Sequence, residues 1–397
     1  MDIVKRFLSY VEVDTRAGEA KDDGPSSSKI LNLTEKLLLE LQKLHPYALS
    51  VNRFGIIDAK FSGEGNKPRI AFLAHRDTSP QASDSNVKAR IVTYEGKDIP
   101  LGDGKILSEK AFPQLSSSLH HPLRVTDGTT LLGGDDKAGI AIIRDALCQR
   151  VENKLPHRPL EIIFTTDEEI GVDAEHVSRE LIEAEYGYTV DGGDSQYVSI
   201  ETFTAKSRKV EIKGKSIHPG EAKDKLLSAV NVAIDFQNAL PKYLRPEHTC
   251  GKEPFFHLCS LNGDEERATR DYIIRSFDEK EIERLASLAR FTAKRRNELY
   301  KDDVIKVEIS DQYHNRKSVL DQHPSIVKER KDAYQRLNMP YEEEAVRGGT
   351  TGSQLSFMGL PCPNLGTGDH NRHGPYEYVD LEQRKARSLL VKELRKA

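Results

Sequence analysis

Three short apolar segments of this chain each run into ionisable residues, and this pattern constrains the fold more than any other. The segments are Arg69–Ala74, Leu160–Thr165 and Gly187–Asp191. Their length and composition predict buried strands, and the sequence between the second and third predicts a helix over Ala174–Glu185. Strands that alternate with helices indicate a mostly parallel sheet. Because the carboxyl ends of parallel strands share one crevice, we expect the ionisable residues to converge there.

The turn Thr130–Gly139 (TLLGGDDKAG) presents two adjacent carboxylates between an apolar pair and a predicted helix over Lys137–Val151. Asp135 and Asp136 at this turn suit two interpretations. They can cap the helix that follows, as aspartate often does. They can also hold a metal or a catalytic group at the edge of the sheet.

Two of the strand ends carry residue patterns that suit metal chemistry. His75 and Asp77 point the same way from a strand, so one can bind a metal while the other orients the imidazole. A buried structural His–Asp pair is the alternative. The acids of Asp167–Glu169 repel one another unless they are solvated or neutralised by a cation.

Bulk properties exclude several classes of function. The net charge is −4 over 397 residues, which argues against nucleic-acid binding driven by overall charge. No apolar run approaches the about 18 residues that a membrane span needs. The four cysteines show no CxxC spacing, so His and carboxylate groups must supply any metal ligands. Few scattered thiols without a signal-like N-terminus predict a cytoplasmic location.

The order of predicted elements changes at about residue 206. From there to 315 it is strand, helix, strand, strand, helix, strand, with helices over Leu226–Ala239 and Asp278–Leu299. This is the order of a ferredoxin-like module. We therefore predict a discontinuous catalytic α/β domain of residues 1–205 plus 316–397. An α+β lid of residues 206–315 is inserted into it.

The joint motif set resembles the di-zinc exopeptidase family that includes carboxypeptidase G and the aminoacylases, and its tripeptide aminopeptidases in particular. The resemblance covers residues 1 to about 378 in the same order. The pieces that carry it are HRDTSP, TLLGGDDKAG, TTDEEIG, TVDGG, IHPGEAK, IIRSFD, RGGTTGSQLSFMGLPCPN and NRHG.

The resemblance implies a role for each matching position. One Zn²⁺ is bound by His75 and Asp191, the other by Glu169 and His373, and Asp135 bridges the two. Asp77 orients His75, Glu168 is the catalytic carboxylate, and His218 reaches the site from the lid. The positions implied for substrate binding are Arg275, Asn315 and Arg347.

The chemistry of these residues agrees with the resemblance. One His, one terminal carboxylate and one shared carboxylate suit each Zn²⁺, although Mn²⁺ or Co²⁺ would fit as well. Two such metals, about 3.5–4 Å apart, can activate a shared water, from which Glu168 takes a proton. The resemblance implies an aminopeptidase that removes the N-terminal residue of tripeptides. The alternatives are an N-acyl amino acid amidohydrolase and a non-catalytic binding protein. Pairing of edge strands between the lids of two copies would give a homodimer.

Three positions leave the roles of single residues open. The resembled pattern is RGGTDG, whereas Thr351 replaces its acid here, which bears on selectivity for peptide length or the amino terminus. Arg76 lies between two site residues, and strand alternation points it away from the metals, as a packed or ion-paired arginine. His370 competes with His373 as a ligand; motif alignment favours His373, which leaves His370 as a turn or surface histidine.

Overall fold

The computed structural model describes residues 3–153 and 155–396, which form two compact units. The first unit comprises Met1–Ile200, Arg316–Glu344 and Thr350–Ala397, and the second comprises Glu201–Asn315 and Ala345–Gly349. The chain enters the second unit five residues before the predicted limit of 206 and leaves it at 315, as in the prediction. The short segment 345–349 also groups with the second unit.

The α-helices of the described chain lie in both units. They are α1 Ile3–Val11, α2 Thr34–Gln42, α3 Gly134–Asn153, α4 Ala229–Ala239, α5 Glu279–Tyr300, α6 Lys317–Leu320, α7 Pro324–Arg336, α8 Thr351–Phe357 and α9 Leu381–Leu394. No helix among the residues described is long and apolar enough to cross a membrane.

The strands form one large sheet, two four-stranded sheets and a two-stranded hairpin. They are β1 Ala48–Val51, β2 Ile57–Phe61, β3 Ile70–His75, β4 Arg90–Thr93, β5 Ile99–Gly102, β6 Lys105–Leu107, β7 Pro122–Val125, β8 Leu160–Thr165, β9 Tyr186–Val190, β10 Tyr197–Thr202, β11 Thr204–Lys213, β12 Phe255–Gly263, β13 Arg267–Ser276, β14 Ile305–Tyr313, β15 Glu342–Val346, β16 Asn364–Leu365, β17 Asp369–His370 and β18 Tyr378–Asp380.

The large sheet has the order β1-β2-β8-β3-β9-β16-β10-β15. Its centre is parallel: β3 pairs with β8 and β9, and β16 pairs with β9. The flanking pairs β1–β2, β2–β8 and β10–β16 are antiparallel. The predicted α/β fold class with a mostly parallel sheet is thus confirmed, and its parallel strands are those that carry the ionisable ends.

Alternate side chains of the central strands enter cores on opposite faces of the sheet. Phe72 and Ile162 pack in the larger core, with residues of α1, α3 and α9. Leu73 and Ile163 pack on the other face, against residues such as Leu355 of α8. Because both faces are covered, the strands are apolar throughout, as expected for a parallel sheet with helices on both sides.

The predicted helix over Ala174–Glu185 is wrong. The segment forms two short 3₁₀ turns, Asp173–His176 and Arg179–Leu181, and then an extended stretch. Residues far away in the sequence take backbone groups of this segment: Lys60 donates to the Leu181 carbonyl, and Glu161 accepts the N–H groups of Glu183 and Ala184. These tertiary hydrogen bonds outweigh the local helical pattern.

The second unit contains an antiparallel sheet of order β12-β13-β11-β14. Its chain order β11-α4-β12-β13-α5-β14 is that of a ferredoxin-like module. A separate core lies between the sheet and the two helices, with Val210, Phe236, Tyr272 and Leu285 among its buried members. The unit therefore has its own hydrophobic core.

Candidate metal centre

The carboxyl ends of the parallel strands bring the predicted site residues of the first unit together. His75 ends β3, Glu168 and Glu169 follow β8, and Asp191 follows β9. The turn that follows β16 and β17 carries His373, and Asp135 lies where α3 begins. Two groups of possible metal ligands result: His75, Asp135 and Asp191, and Asp135, Glu169 and His373.

Asp135 is shared by the two groups, and each of its carboxylate oxygens faces a different histidine. Oδ1 lies 2.8 Å from His75 Nε2. Oδ2 lies 3.4 Å from His373 Nε2. This is the arrangement of a bridging carboxylate between two neighbouring cations.

Asp77 fixes the orientation of His75. The Nδ1 atom of His75 lies 2.9 Å from the Asp77 carbonyl and 3.5 Å from Asp77 Oδ1. Because both partners are oxygen acceptors, the proton of a neutral His75 belongs on Nδ1, and Nε2, which faces Asp135, would be the nitrogen that binds a cation. The other Asp77 oxygen accepts the backbone N–H of Glu169 at 3.0 Å, so one side chain supports both ligand groups.

The second group is completed by Glu169 and His373. Glu169 Oε2 lies 3.0 Å from His373 Nε2, and the His373 side chain is 40% exposed whereas that of Glu169 is 2% exposed. A ligand group open on one side can receive a substrate atom or water.

The donor set fits two divalent cations by its own chemistry. Glu169 Oε1 and Asp191 Oδ1 are buried, and neither has a hydrogen-bond partner among the residues described. Burial and the nearby Asp135 raise the pKa of Asp191 to about 8. Buried acids crowded in this way carry their charge at neutral pH only when cations neutralise them.

The two residues of the aspartate pair have different surroundings. Asp135 faces the histidines, whereas Asp136 accepts the backbone N–H groups of Gly139 at 3.0 Å and His75 at 3.2 Å. Asp136 therefore caps α3 and ties it to the end of β3. The Asp135–Asp136 peptide is cis.

A residue absent from the sequence prediction, Glu377, holds the glycine turn in place. Its carboxylate is buried and accepts the backbone N–H groups of Leu132, Gly133 and Asp135 at 2.6, 2.9 and 3.1 Å. Burial raises the pKa of Glu377 to about 7. The sequence shows only a lone acid after NRHG, so nothing in the residue pattern marked it.

Glu168 lies beside the ligand groups without belonging to either. Its Oε2 is 4.0 Å from His75 Nε2, and its side chain is 18% exposed. Burial raises the pKa of Glu168 well above the ordinary value, and the charges of Asp191 and Asp173 raise it further. A carboxylate with a raised pKa next to a metal site is suited to general base and general acid work.

Arg372 is a second residue that the sequence analysis did not single out. Its guanidinium packs over Gly192, where a Cβ atom would lie 1.7 Å from Nη1. Burial would lower the pKa of Arg372, but the acids around it, Asp369 foremost, raise it above the ordinary value. A fixed positive charge thus lies beside the ligand Asp191.

Two of the three open residues, Arg76 and His370, have structural partners. Arg76 is fully buried and donates to Thr34 Oγ1 and the Gly55 carbonyl, so it points away from the ligands. His370 is 8% exposed, lies 3.2 Å from Asp194 and stacks on Tyr378. It is therefore a buried histidine and not the surface residue that the sequence suggested, and it belongs to neither ligand group.

The remaining predicted site residues belong to the second unit. His218 is exposed, and its Nδ1 accepts the N–H of Gly220 at 3.2 Å, which leaves Nε2 as the protonated donor. The Arg275 guanidinium donates to the Ile274 carbonyl at 3.1 Å and lies over the Tyr313 ring.

Asn315 and Arg347 are engaged within the second unit as well. Asn315 accepts from the Thr202 N–H and donates to the Phe277 carbonyl. Arg347 donates to the Gly251 carbonyl at 2.9 Å and to Thr249 Oγ1 at 2.7 Å. Both side chains therefore support local structure, and their substrate roles stay predictions.

Paired ligand groups at the carboxyl edge of a parallel sheet are typical of hydrolases that use two metal ions. Comparison with known proteins specifies the class further. The family model described as "Peptidase family M20/M25/M40" matches residues 119–394. The chain belongs to this peptidase family.

Relatives of similar sequence agree with the resemblance found in the motifs, which is thereby confirmed. Peptidase T of Clostridium botulinum (strain Okra) is 40% identical over 398 residues, 98% of both chains. Peptidase T of Geobacillus sp. (strain WCH70) is 39% identical, over 98% of this chain and 97% of the relative. A tripeptidase structure from Staphylococcus aureus has a TM-score of 0.78 at 21% identity, over 99% and 97% of the two chains. The last likeness concerns the fold alone.

Proposed function

We propose that this enzyme is a metal-dependent aminopeptidase that releases the N-terminal residue of tripeptides. The observation that carries the proposal is Asp135, whose two oxygens face His75 and His373 beside the uncommitted Glu168. Relatives at about 40% identity over nearly the whole chain carry the name peptidase T, which supports the substrate class.

We assign the ligand roles as the sequence predicted. His75 and Asp191 would hold one metal, Glu169 and His373 the other, and Asp135 both. We propose Zn²⁺ for both ions, because two carboxylates and one imidazole per ion leave a tetrahedral position open. Bound metals supply an acidified water and polarise the scissile carbonyl.

The protein residues carry the proton. Glu168 takes a proton from the attacking water and passes it to the leaving amine, and its raised pKa suits both steps. Asp77 keeps the imidazole of His75 in the tautomer with its proton on Nδ1. His218, with the proton on Nε2, is a donor suited to the developing oxyanion.

Two further assignments belong to the proposal. The cysteines described are all free, which is consistent with a cytoplasmic enzyme. The edge strands β12 and β14 of the second unit offer unpaired backbone groups, which is consistent with a homodimer formed through that unit.

The test is a peptide panel with added Zn²⁺ and with chelator. The panel contains a dipeptide, a tripeptide, a tetrapeptide, an N-acetylated tripeptide and an N-acetyl amino acid, and mass spectrometry identifies the products. We expect chelator-sensitive release of the first residue from the free tripeptide. Preference for acylated substrates would instead make the enzyme an amidohydrolase, and a fully metallated but inactive protein would indicate a binding function.

The variant Glu168→Gln is the matched test of the base. It should keep its metal content and its melting temperature but lose kcat by about 10²–10⁴-fold. The exposed Glu175→Gln is the control and should retain activity. Unchanged turnover in Glu168→Gln would remove this residue from the base role.

A further inference from the structure

The turn that carries Glu168 and Glu169 is tightly bent. It closes through hydrogen bonds from Gly171 N–H to the Glu168 carbonyl and from Val172 N–H to the Asp167 carbonyl, at 2.7 and 3.2 Å. Asp167 has φ +69° and Gly171 has φ +77°. Left-handed backbone is unfavourable at a residue with a side chain and persists only where the surroundings hold it.

Each end of this turn is fixed by a buried aspartate. At its start, the Asp167 carboxylate accepts the backbone N–H of Ser26 at 3.0 and 3.2 Å. Just after its end, Asp173 is 1% exposed, and its Oδ2 accepts the hydroxyl of Thr351. Thr351 is itself 5% exposed and is the first residue of α8. The Asp173–Thr351 hydrogen bond therefore joins the catalytic turn to α8.

A second contact connects the same two segments. Gln354 Nε2 of α8 donates to the Gly171 carbonyl at 3.4 Å. Val177 lies in the same core as Leu355 and Cys362. Apolar packing therefore joins the segment after the turn to α8, in addition to the hydrogen bonds. The turn is thus held against α8 at Gly171 and at Asp173.

Asp173 has no ion-pair partner among the residues described, so the neutral Thr351 hydroxyl is the side-chain donor it receives. Burial raises the pKa of Asp173 to about 6, although the Thr351 hydrogen bond opposes this rise. A buried carboxylate without a cationic partner is costly unless its hydrogen bonds are kept. Loss of the Thr351 hydroxyl would therefore destabilise the turn that contains Glu168.

We propose that Asp173 and Thr351 form a latch that positions Glu168. The proposal rests on the proposed function. In this chain the acid comes from the turn and the hydroxyl comes from α8. On this view, Thr351 contributes to turnover by positioning the catalytic turn and does not read the substrate.

A double-mutant cycle in the full-length metallated enzyme tests the latch. Asp173→Ala and Thr351→Val should each lower kcat for the tripeptide by about 10–100-fold, because small displacements of a catalytic group have effects of this size. KM and metal content should stay within about twofold to threefold, since the ligands are untouched. The double variant should be no worse than the poorer single variant.

Conservative variants separate positioning from charge. Asn at 173 can still accept the hydroxyl, and Ser at 351 can still donate it, so Asp173→Asn and Thr351→Ser should recover most of kcat. A different result would overturn the latch: Asp173→Asn is as impaired as Asp173→Ala, and both variants raise KM for peptides with a free amino terminus but not for des-amino peptides. Asp173 would then bind the amino group of the substrate. If a single variant fails to fold, the exchange Asp173→Thr with Thr351→Asp keeps one acid and one hydroxyl and should restore activity.

Hydrogen exchange gives a readout that does not depend on turnover. Amides of residues 167–173 should exchange on the order of tenfold faster in Asp173→Ala than in the native protein, from the loss of about one hydrogen bond. Unchanged exchange there would overturn the latch even if the enzyme proves to have a different substrate. Absence of tripeptide cleavage by the native protein would, in contrast, refute only the proposed function.

Discussion

At the scale of single residues, two histidines of one turn have opposite surroundings. His373 is 40% exposed at its side chain and faces Asp135 and Glu169, whereas His370 is buried against Asp194 and Tyr378. The sequence cannot distinguish them by residue type or local pattern. Their three-residue separation on a tight turn, with φ +67° at His373, sends the two imidazoles to different environments.

This contrast makes the pair a matched test of metal ligation. We expect His373→Ala to lose one of the two bound metals and His370→Ala to retain both, as measured by elemental analysis after dialysis against limiting Zn²⁺. His370→Ala should also lose stability, because it removes a buried side chain that stacks on Tyr378. Metal stoichiometry, and not melting temperature, is therefore the deciding quantity. Equal metal content in the two variants would contradict the assignment.

The candidate site could be predicted from the sequence where strand ends determine position. His75, Glu169 and Asp191 come together because they end or follow β3, β8 and β9, and β3 pairs in parallel with both of the other strands. Glu377 and Asp173 could not be predicted in the same way. Their importance arises from hydrogen bonds to backbone or hydroxyl groups far away in the sequence, which no local pattern records.

At the scale of elements, the same contrast between local sequence pattern and distant contacts explains why the helix predicted over Ala174–Glu185 is wrong. Helix α5, whose apolar face is buried, has bounds within one residue of the prediction. Ala174–Glu185 had a helical pattern, but Lys60 binds the Leu181 carbonyl and Glu161 binds the N–H groups of Glu183 and Ala184. Local propensity is a weak determinant when tertiary partners compete for the backbone.

A pair of neighbouring strands also contains an acid that should make stability depend on pH. Glu161 of β8 lies opposite Lys60 of β2 and accepts the N–H groups of Glu183 and Ala184. Burial and the nearby Asp58 raise its pKa from 4.5 to about 7. Between these values the folded protein keeps a proton that the unfolded chain has lost. Stability should therefore fall as pH rises through this window.

Glu161→Gln removes the titration and should flatten that part of the stability curve. We expect the variant to gain about 1–3 kcal/mol relative to the native protein between pH 4.5 and 8, after allowance for partial screening. Urea unfolding at several pH values measures the difference. The exposed Glu64→Gln is the control, and its free energy of unfolding should depend on pH as that of the native protein does. The same pH dependence in Glu161→Gln would contradict the assignment.

At the scale of the whole molecule, the two units differ in how much they depend on metal. All of the candidate ligands lie in the first unit, where buried acids repel one another without cations. The second unit has its own core and contains none of the candidate ligands. Chelation should therefore weaken one unit and leave the other with its native protection.

Hydrogen exchange with and without chelator tests this difference within one chain. A metal present at about 100 times its Kd stabilises the folded state by about 2.7 kcal/mol per site, so its removal should accelerate exchange around Asp135, Asp191 and the turn 366–374. Amides of β11 and β13 in the second unit serve as the internal control and should exchange at the same rate in both conditions. Uniform acceleration would mean that the metals stabilise both units together. No acceleration at the ligands would mean that the first unit is stable with its acids protonated, as the raised pKa of Asp191 allows.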